Sequence, residues 1–121
     1  GSITLRIWLL AGVLFREDQM LFLIDVNVND RGLSLDGLFA EWEKETAAVI
    51  GARDAGIVKH VFKVVGERRV MAFVDLPSHE ALDDLLMGQL PLSHHLEINK
   101  IAAIRDYDNF AGAVKRRFAP E

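Results

Sequence analysis

The chain is predicted to pass from its second helix to its last strand through the segment Leu90-Pro91-Leu92-Ser93-His94-His95-Leu96-Glu97-Ile98. Proline has no backbone N–H and disfavours a helical conformation for the residue before it, so the helix should end at Leu90. Histidine titrates nearer to neutral pH than any other side chain, which makes His94 and His95 candidates for a pocket at this junction. Adjacent strand residues point to opposite faces, however, and both imidazoles could simply face water.

Composition limits what the rest of the chain can be. A length of 121 residues, half of them apolar and a quarter charged, is typical of one soluble globular domain with a single core. The net charge of -4 argues against nucleic acid as a partner, since phosphates require a concentrated basic face. The absence of cysteine excludes disulfides and thiolate chemistry and is compatible with a cytoplasmic location.

Upstream and downstream of that segment, periodicity predicts four strands and two helices. In residues 21–29, Phe22, Ile24, Val26 and Val28 share one apolar face. Residues 35–55 read as a helix that is capped by Ser34 or Asp36, ends at Gly56 and carries Glu45 in or beside its buried stripe. The remaining predicted elements are strands at 57–65 and 69–75, a helix that begins at Ser78, and a strand at 96–104.

The order strand, helix, strand, strand, helix, strand predicts an α+β fold, a ferredoxin-like βαββαβ arrangement with an antiparallel sheet. Two helices can cover only one face of that sheet. Leu23, Phe62, Met71 and Phe73 would lie on the other face, and leaving such apolar surface in water is unfavourable. The simplest cover is a second subunit, so we expect a dimeric α+β barrel, possibly within a higher homo-oligomer.

Both ends of the chain fall outside this core pattern. Gly1-Ser2 resembles a cloning scar, and Met20 is a candidate natural start, so residues 1–19 are predicted to be an N-terminal extension with a possible extra strand. Their apolar run is too short to span a membrane. Residues 105–121 form a predicted tail in which Phe110, Val114 and Phe118 recur every four residues. The tail either contacts another subunit or folds back on its own.

Residues 20–104 resemble the muconolactone isomerase family, small dimeric α+β barrel enzymes of aromatic catabolism. The resemblance rests on several short matches in the same order as in the family: Met20-Leu21-Phe22, Glu45 followed by Gly56, Lys59-His60-Val61-Phe62-Lys63, and Leu82 to Leu92 with its ending Leu-Pro-Leu. It implies a cofactor-free isomerase that moves a double bond in a small lactone, and often a ring of dimers. Lys63 matches a basic position of the family and is a candidate substrate-binding residue.

The sequence departs from the family pattern at two places. Asp25 stands where the family usually has a lysine or arginine, and Ser93-His94-His95 replaces a bulky Phe-Pro-Tyr. Both changes are expected near the pocket. A carboxylate there would repel an anionic lactone, which motivates the alternative of a related cyclase or isomerase of secondary metabolism.

Isomerisation of this kind requires a base of raised pKa in an apolar pocket and a donor that faces the developing enolate oxygen. Glu45 and Asp25 are candidate bases, and His60 and His95 are candidate donors or bases. Phe62, Phe73 and His94 complete, with Lys63, the predicted substrate-binding set. The competing interpretations are that Glu45 pairs with a cation, that His60 is a core histidine and that Asp25 holds a turn.

No metal site is predicted, because the four histidines lack the spacing of a zinc motif. The sequence therefore favours an enzyme that acts on a small-molecule substrate, with no cofactor, no nucleic acid and no membrane as partner. A non-catalytic module that binds a small apolar ligand or serves as an oligomer scaffold is the third interpretation.

Overall fold

The computed structural model describes residues 20–118. The strand or oligomer contact predicted for residues 1–19 lies outside the described residues. Within residues 20–118, no helix has the length and apolar character that a membrane span needs.

The element order agrees with the pattern predicted from the sequence. It begins with β1 (Leu21–Val28), α1 (Leu35–Asp54), β2 (Val58–Lys63) and β3 (Arg69–Asp75). It continues with α2 (His79–Asp84), a π-helical turn (Leu85–Gln89), a 3-10 turn (Ser93–His95), β4 (Leu96–Ile104) and α3 (Tyr107–Phe118). The predicted α+β fold is confirmed, and strands β3 and β4 have the predicted bounds.

Local chemistry explains where the helices begin and end. The Ser34 hydroxyl caps α1 by accepting a hydrogen bond from the Gly37 N–H at 3.1 Å, so Ser34, not Asp36, is the cap. Gly56 follows α1 with φ of +83°, a conformation that favours glycine. Leu90 is extended, with φ of −96° and ψ of 147°, as expected for a residue that precedes proline. The helical turns of residues 79–89 therefore end at the predicted place.

The sheet is antiparallel throughout, with strand order β2-β3-β1-β4. Two irregularities interrupt its pairing. One lies between Asp25 and Val26 in the β1–β4 pairing, and the other lies between Val58 and His60 in the β2–β3 pairing. The predicted hairpin joins β2 and β3 through Gly66, which has φ of +79°.

Side chains alternate between two faces of the sheet. The core lies on the face that α1 and α2 cover, and it is built from apolar residues of β1, β2, β3 and both helices: Phe22, Ile24, Val26, Ala52, Ile57, Val58, Val74, Leu76, Leu82 and Leu85. The opposite face, which we call the open face, carries Leu23, Met71 and Phe73. No helix of residues 20–118 covers it.

Helix α3 stands apart from this core. None of its residues is buried, and its apolar side chains Phe110, Val114 and Phe118 are 43%, 41% and 77% exposed. The expectation that the tail folds back onto its own subunit is therefore wrong for this helix, since folding back would have buried that stripe.

Candidate active site

A cavity of about 650 Å³ lies between α1 and the helix-covered face of the sheet. Its wall is formed by one side of α1, by the inward faces of all four strands and by the leucines of the π-helical turn and the turn that follows it. The lining residues are almost all aliphatic or aromatic. The polar members of the lining are Glu43, Glu45, Thr46 and Lys63.

Glu45 is the buried acid of this cavity. It is 7% exposed, and the backbone N–H of Leu92 donates a hydrogen bond to its carboxylate. The other oxygen, Oε2, is buried and has no hydrogen-bond partner within residues 20–118. A buried carboxyl oxygen without a partner disfavours the charged form of the group.

The surroundings of Glu45 favour its neutral form. Burial among apolar side chains removes water from the carboxylate and raises its pKa to about 7, although the hydrogen bond from Leu92 acts in the opposite direction. A group with this pKa is present in both protonation states near neutral pH, as a general base requires if it is to take up a proton and return it. No cation within residues 20–118 forms an ion pair with Glu45, so these residues give no support to the competing interpretation that Glu45 pairs with a cation.

Lys63 is the cation among the described residues that line the cavity. Its side chain is exposed, and its ammonium donates a hydrogen bond to the carbonyl oxygen of Val64 at 2.7 Å. An ammonium has three N–H donors, so two remain for a ligand. Lys63 thus contributes a positive charge and hydrogen-bond donors to the edge of the cavity.

Asp25, the second candidate base, lies on the open face of the sheet and away from the cavity. Arg69 donates to its two carboxylate oxygens at 2.9 and 2.6 Å, and the Asn99 side-chain amide donates at 3.1 Å. The hydrogen bonds from Arg69 and Asn99 lower the pKa of Asp25 to about 2. The expectation that Asp25 lies near the pocket as a base is wrong, because even-numbered β1 residues such as Ile24 and Val26 point into the cavity.

The histidines singled out in the sequence do not line the cavity. His60 is exposed on the open face, where its ring centroid lies 6.3 Å from those of Phe62 and Phe73. His95 Nδ1 lies 2.9 Å from the carbonyl oxygen of Asn29, and His94 is exposed. The loop that carries both histidines contributes to the cavity through its leucines instead.

The structure places only one of the two aromatic residues predicted to bind substrate, Phe62 and Phe73, at the cavity. Phe62 borders the cavity although it is 58% exposed and opposite Met71 in the β2–β3 pairing. Phe73 is paired with Leu23 and packs near His60 on the open face, so the structure does not place it in the cavity. Glu45, Lys63 and Phe62 are thus the members of the predicted set that the structure brings together.

Sequence reasoning missed several parts of the site. The sequence predicts the end of the helix at Leu90, but it does not predict that the backbone N–H of Leu92 donates to Glu45. Glu43, which is not among the predicted site residues, also lines the cavity. Helical periodicity assigns a residue to a face, but it does not show which part of that face borders an open space.

Comparison with known proteins adds a family assignment. A sequence model of the family described as muconolactone delta-isomerase matches residues 20–109, which is well over half of the chain. No curated protein matches the chain.

Proposed function

The chain belongs to the muconolactone delta-isomerase family, and from this we propose that it is a cofactor-free isomerase that shifts a proton and a double bond within a small lactone or related carbonyl compound. The observation that carries the proposal is Glu45, a buried carboxyl group in the wall of a largely apolar cavity. No other carboxylate of residues 20–118 combines burial with a place in the cavity wall.

The proposed reaction uses Glu45 twice. Its ionised carboxylate removes a proton from a carbon activated by the substrate carbonyl, and the C–H electron pair moves into a dienolate. The protonated Glu45 then returns the proton to the far carbon of the dienolate, so the double bond moves and the charge returns to the carboxylate. Substrate and product are isomers, and the step needs neither an oxidant nor a reductant.

Lys63 is proposed to stabilise the dienolate oxygen. Lys63 lines the cavity, and a charge-assisted hydrogen bond from an ammonium is stronger than one between neutral groups. His60 and His95, the donors suggested by the sequence, are not in the cavity wall. The alternative of a related cyclase or isomerase, motivated by the loss of the first-strand cation, is an outcome of the experiment below.

The experiment is to incubate the protein with muconolactone in D₂O while ultraviolet absorbance and deuterium uptake are followed. We expect exchange and isomerisation in the parent protein and at least a 100-fold loss in Glu45→Gln, roughly the contribution of a general base. Asp25→Asn is the matched control, because it removes the other buried carboxylate of the described chain but leaves the cavity intact. Catalysed exchange at equal rates in Glu45→Gln and the parent would contradict Glu45 as the base, whereas no exchange in the parent would favour the cyclase or the binding module.

We also propose that the protein is a homodimer, joined through the open face. The support is the apolar surface of that face and of α3, neither of which is covered within residues 20–118. Soluble proteins rarely leave such surfaces in water.

A further inference from the structure

The size and polarity of the cavity lead to an inference about the substrate, which rests on the isomerase function proposed above. We propose that the natural substrate is a bulky, largely apolar and uncharged carbonyl compound with at least two rings, and not a small lactone acid. A cavity of about 650 Å³ lies in the middle of the range that encloses drug-sized ligands. A single small ring would leave much of this space filled by water against apolar walls.

The chemistry of the lining indicates an uncharged ligand. Glu43 and Glu45 place two carboxyl groups in the wall, whereas Lys63 is the one cation that the described residues contribute. Lys63 is exposed and already bonded to Val64, so it offers one partly solvated contact and no enclosed anion site. A carboxylate inside this cavity would lose most of its hydration without an adequate replacement.

The rim of the cavity extends its apolar wall outward. Phe39 and Ile50 of α1 and Phe62 of β2 line the cavity, yet they are 54%, 46% and 58% exposed. The rings of Phe39 and Trp42 lie 6.2 Å apart on the same side. A ligand with a second or third ring would cover these side chains, and its burial of apolar surface would provide binding energy that a small lactone lacks.

These features also place the ligand relative to the base. Glu45 is 7% exposed, so it lies at the closed side of the cavity, whereas the exposed aromatic side chains lie at its mouth. An enolisable carbonyl group would reach the carboxyl group of Glu45 while the apolar ring system extends towards Phe39 and Trp42. The carbonyl group of the substrate, which reacts, and its ring system, which is recognised by apolar contacts, thus lie in different parts of the cavity.

Binding is measured by the fluorescence of Trp42, since the chain has two tryptophans and a Trp8→Phe background leaves this one alone. The probes are β-tetralone, a neutral bicyclic ketone with acidic C–H groups, and muconolactone, a small anion. We expect β-tetralone to bind at least about tenfold more tightly, because it buries the larger apolar area. Equal or tighter binding of muconolactone would overturn the inference and leave the isomerase function standing.

Two variants test whether this binding occurs in the cavity. Thr46 lines the cavity on an exposed part of α1, whereas its neighbour Ala47 is exposed and does not line it. Thr46→Phe should fill the space and weaken β-tetralone binding by about tenfold, while Ala47→Phe should leave it unchanged. Equal effects of the two changes would overturn the assignment to this cavity.

Deuterium exchange into β-tetralone distinguishes a failure of the proposed ligand class from a failure of the proposed isomerase function, on which the ligand class rests. Exchange that is lost in Glu45→Gln while binding persists supports both. Tight binding with exchange that does not depend on Glu45 supports the ligand class but overturns the isomerase function.

Discussion

Glu45 and Asp25 are the buried carboxylates of residues 20–118, and their surroundings give them opposite acidities. Apolar side chains raise the pKa of Glu45 to about 7, whereas Arg69 and Asn99 lower that of Asp25 to about 2. A carboxylate with a matched cation is stabilised as an anion, and one that is only desolvated is stabilised as an acid. Of these two buried carboxylates, Glu45 is therefore the one suited to exchange protons near neutral pH.

Activity should follow the ionisation of Glu45. The proposed base is inactive when protonated, so exchange rates should rise as pH increases towards about 7 and then level off. The measurement is the initial rate of deuterium uptake between pH 5 and pH 9 at substrate concentrations well below KM, where the rate reports the ionisation of the free protein. A rate that is constant across this range would contradict the assignment of Glu45 as the base.

The ionisation of Glu45 should also make stability depend on pH, in the direction opposite to activity: the free energy of unfolding should fall as pH rises. Its folded pKa of about 7 exceeds the ordinary value of 4.5, so the folded state binds a proton that the unfolded state has lost, and stability falls as pH rises between these values. Glu45→Gln removes this dependence. Above pH 7 the variant should be more stable than the parent by up to about 3 kcal/mol, as urea unfolding would measure, and the gain should disappear near pH 4.5.

Asp25 should matter for stability and not for catalysis. Asp25→Asn removes the charge that pairs with Arg69, so Tm at pH 7 should fall while deuterium exchange is retained. The folded pKa is below the ordinary value of 3.8, so the stabilisation is complete above pH 3.8 and is lost as pH falls towards 2. Glu41→Gln, which breaks an exposed ion pair with Lys44, is the control and should change Tm little.

At the scale of elements, the site depends on how α1 and the Leu90-Pro91-Leu92 turn are held. Helix α1 carries Glu45, and its ends are defined by the Ser34 cap and by Gly56. The turn supplies the Leu92 N–H because Pro91 ends the helical segment and Leu90 is extended. Two elements far apart in sequence thus meet at one carboxylate.

Gly56 is expected to be required for the end of α1. A side chain at Gly56 would meet nothing within 4 Å, so the cost of Gly56→Ala comes from the backbone φ of +83° and should be about 1 kcal/mol. Gly88→Ala is the matched control, since that site is equally open and has no positive φ. Urea unfolding should show a loss for Gly56→Ala and a change within about 0.5 kcal/mol for Gly88→Ala.

At the scale of the whole molecule, the protomer leaves two apolar surfaces uncovered within residues 20–118. One is the open face with Leu23, Met71 and Phe73, and the other is the stripe of α3. The cavity lies on the far side of the sheet from the open face. Association through the open face would therefore leave the entrance of the cavity free.

Light scattering should show at least a dimer. Phe73→Glu would place a charge on the open face and should shift the protein towards monomer, whereas Leu35→Glu, at a position that is 54% exposed on α1, should not. A parent protein that is monomeric at micromolar concentration would contradict the proposed barrel.

The sequence by itself determined the order and the approximate bounds of the elements, because alternation, helical periodicity, caps and proline act over a few neighbouring residues. It also identified Glu45 and Lys63 as candidates. Tertiary structure decided which candidates meet. Asp25 and Ile24 are neighbours in sequence but lie on opposite faces of the sheet, and Asp25 finds Arg69 only through the pairing of β1 with β3. The pKa of Glu45 likewise depends on desolvation by side chains of distant elements, which no local pattern records.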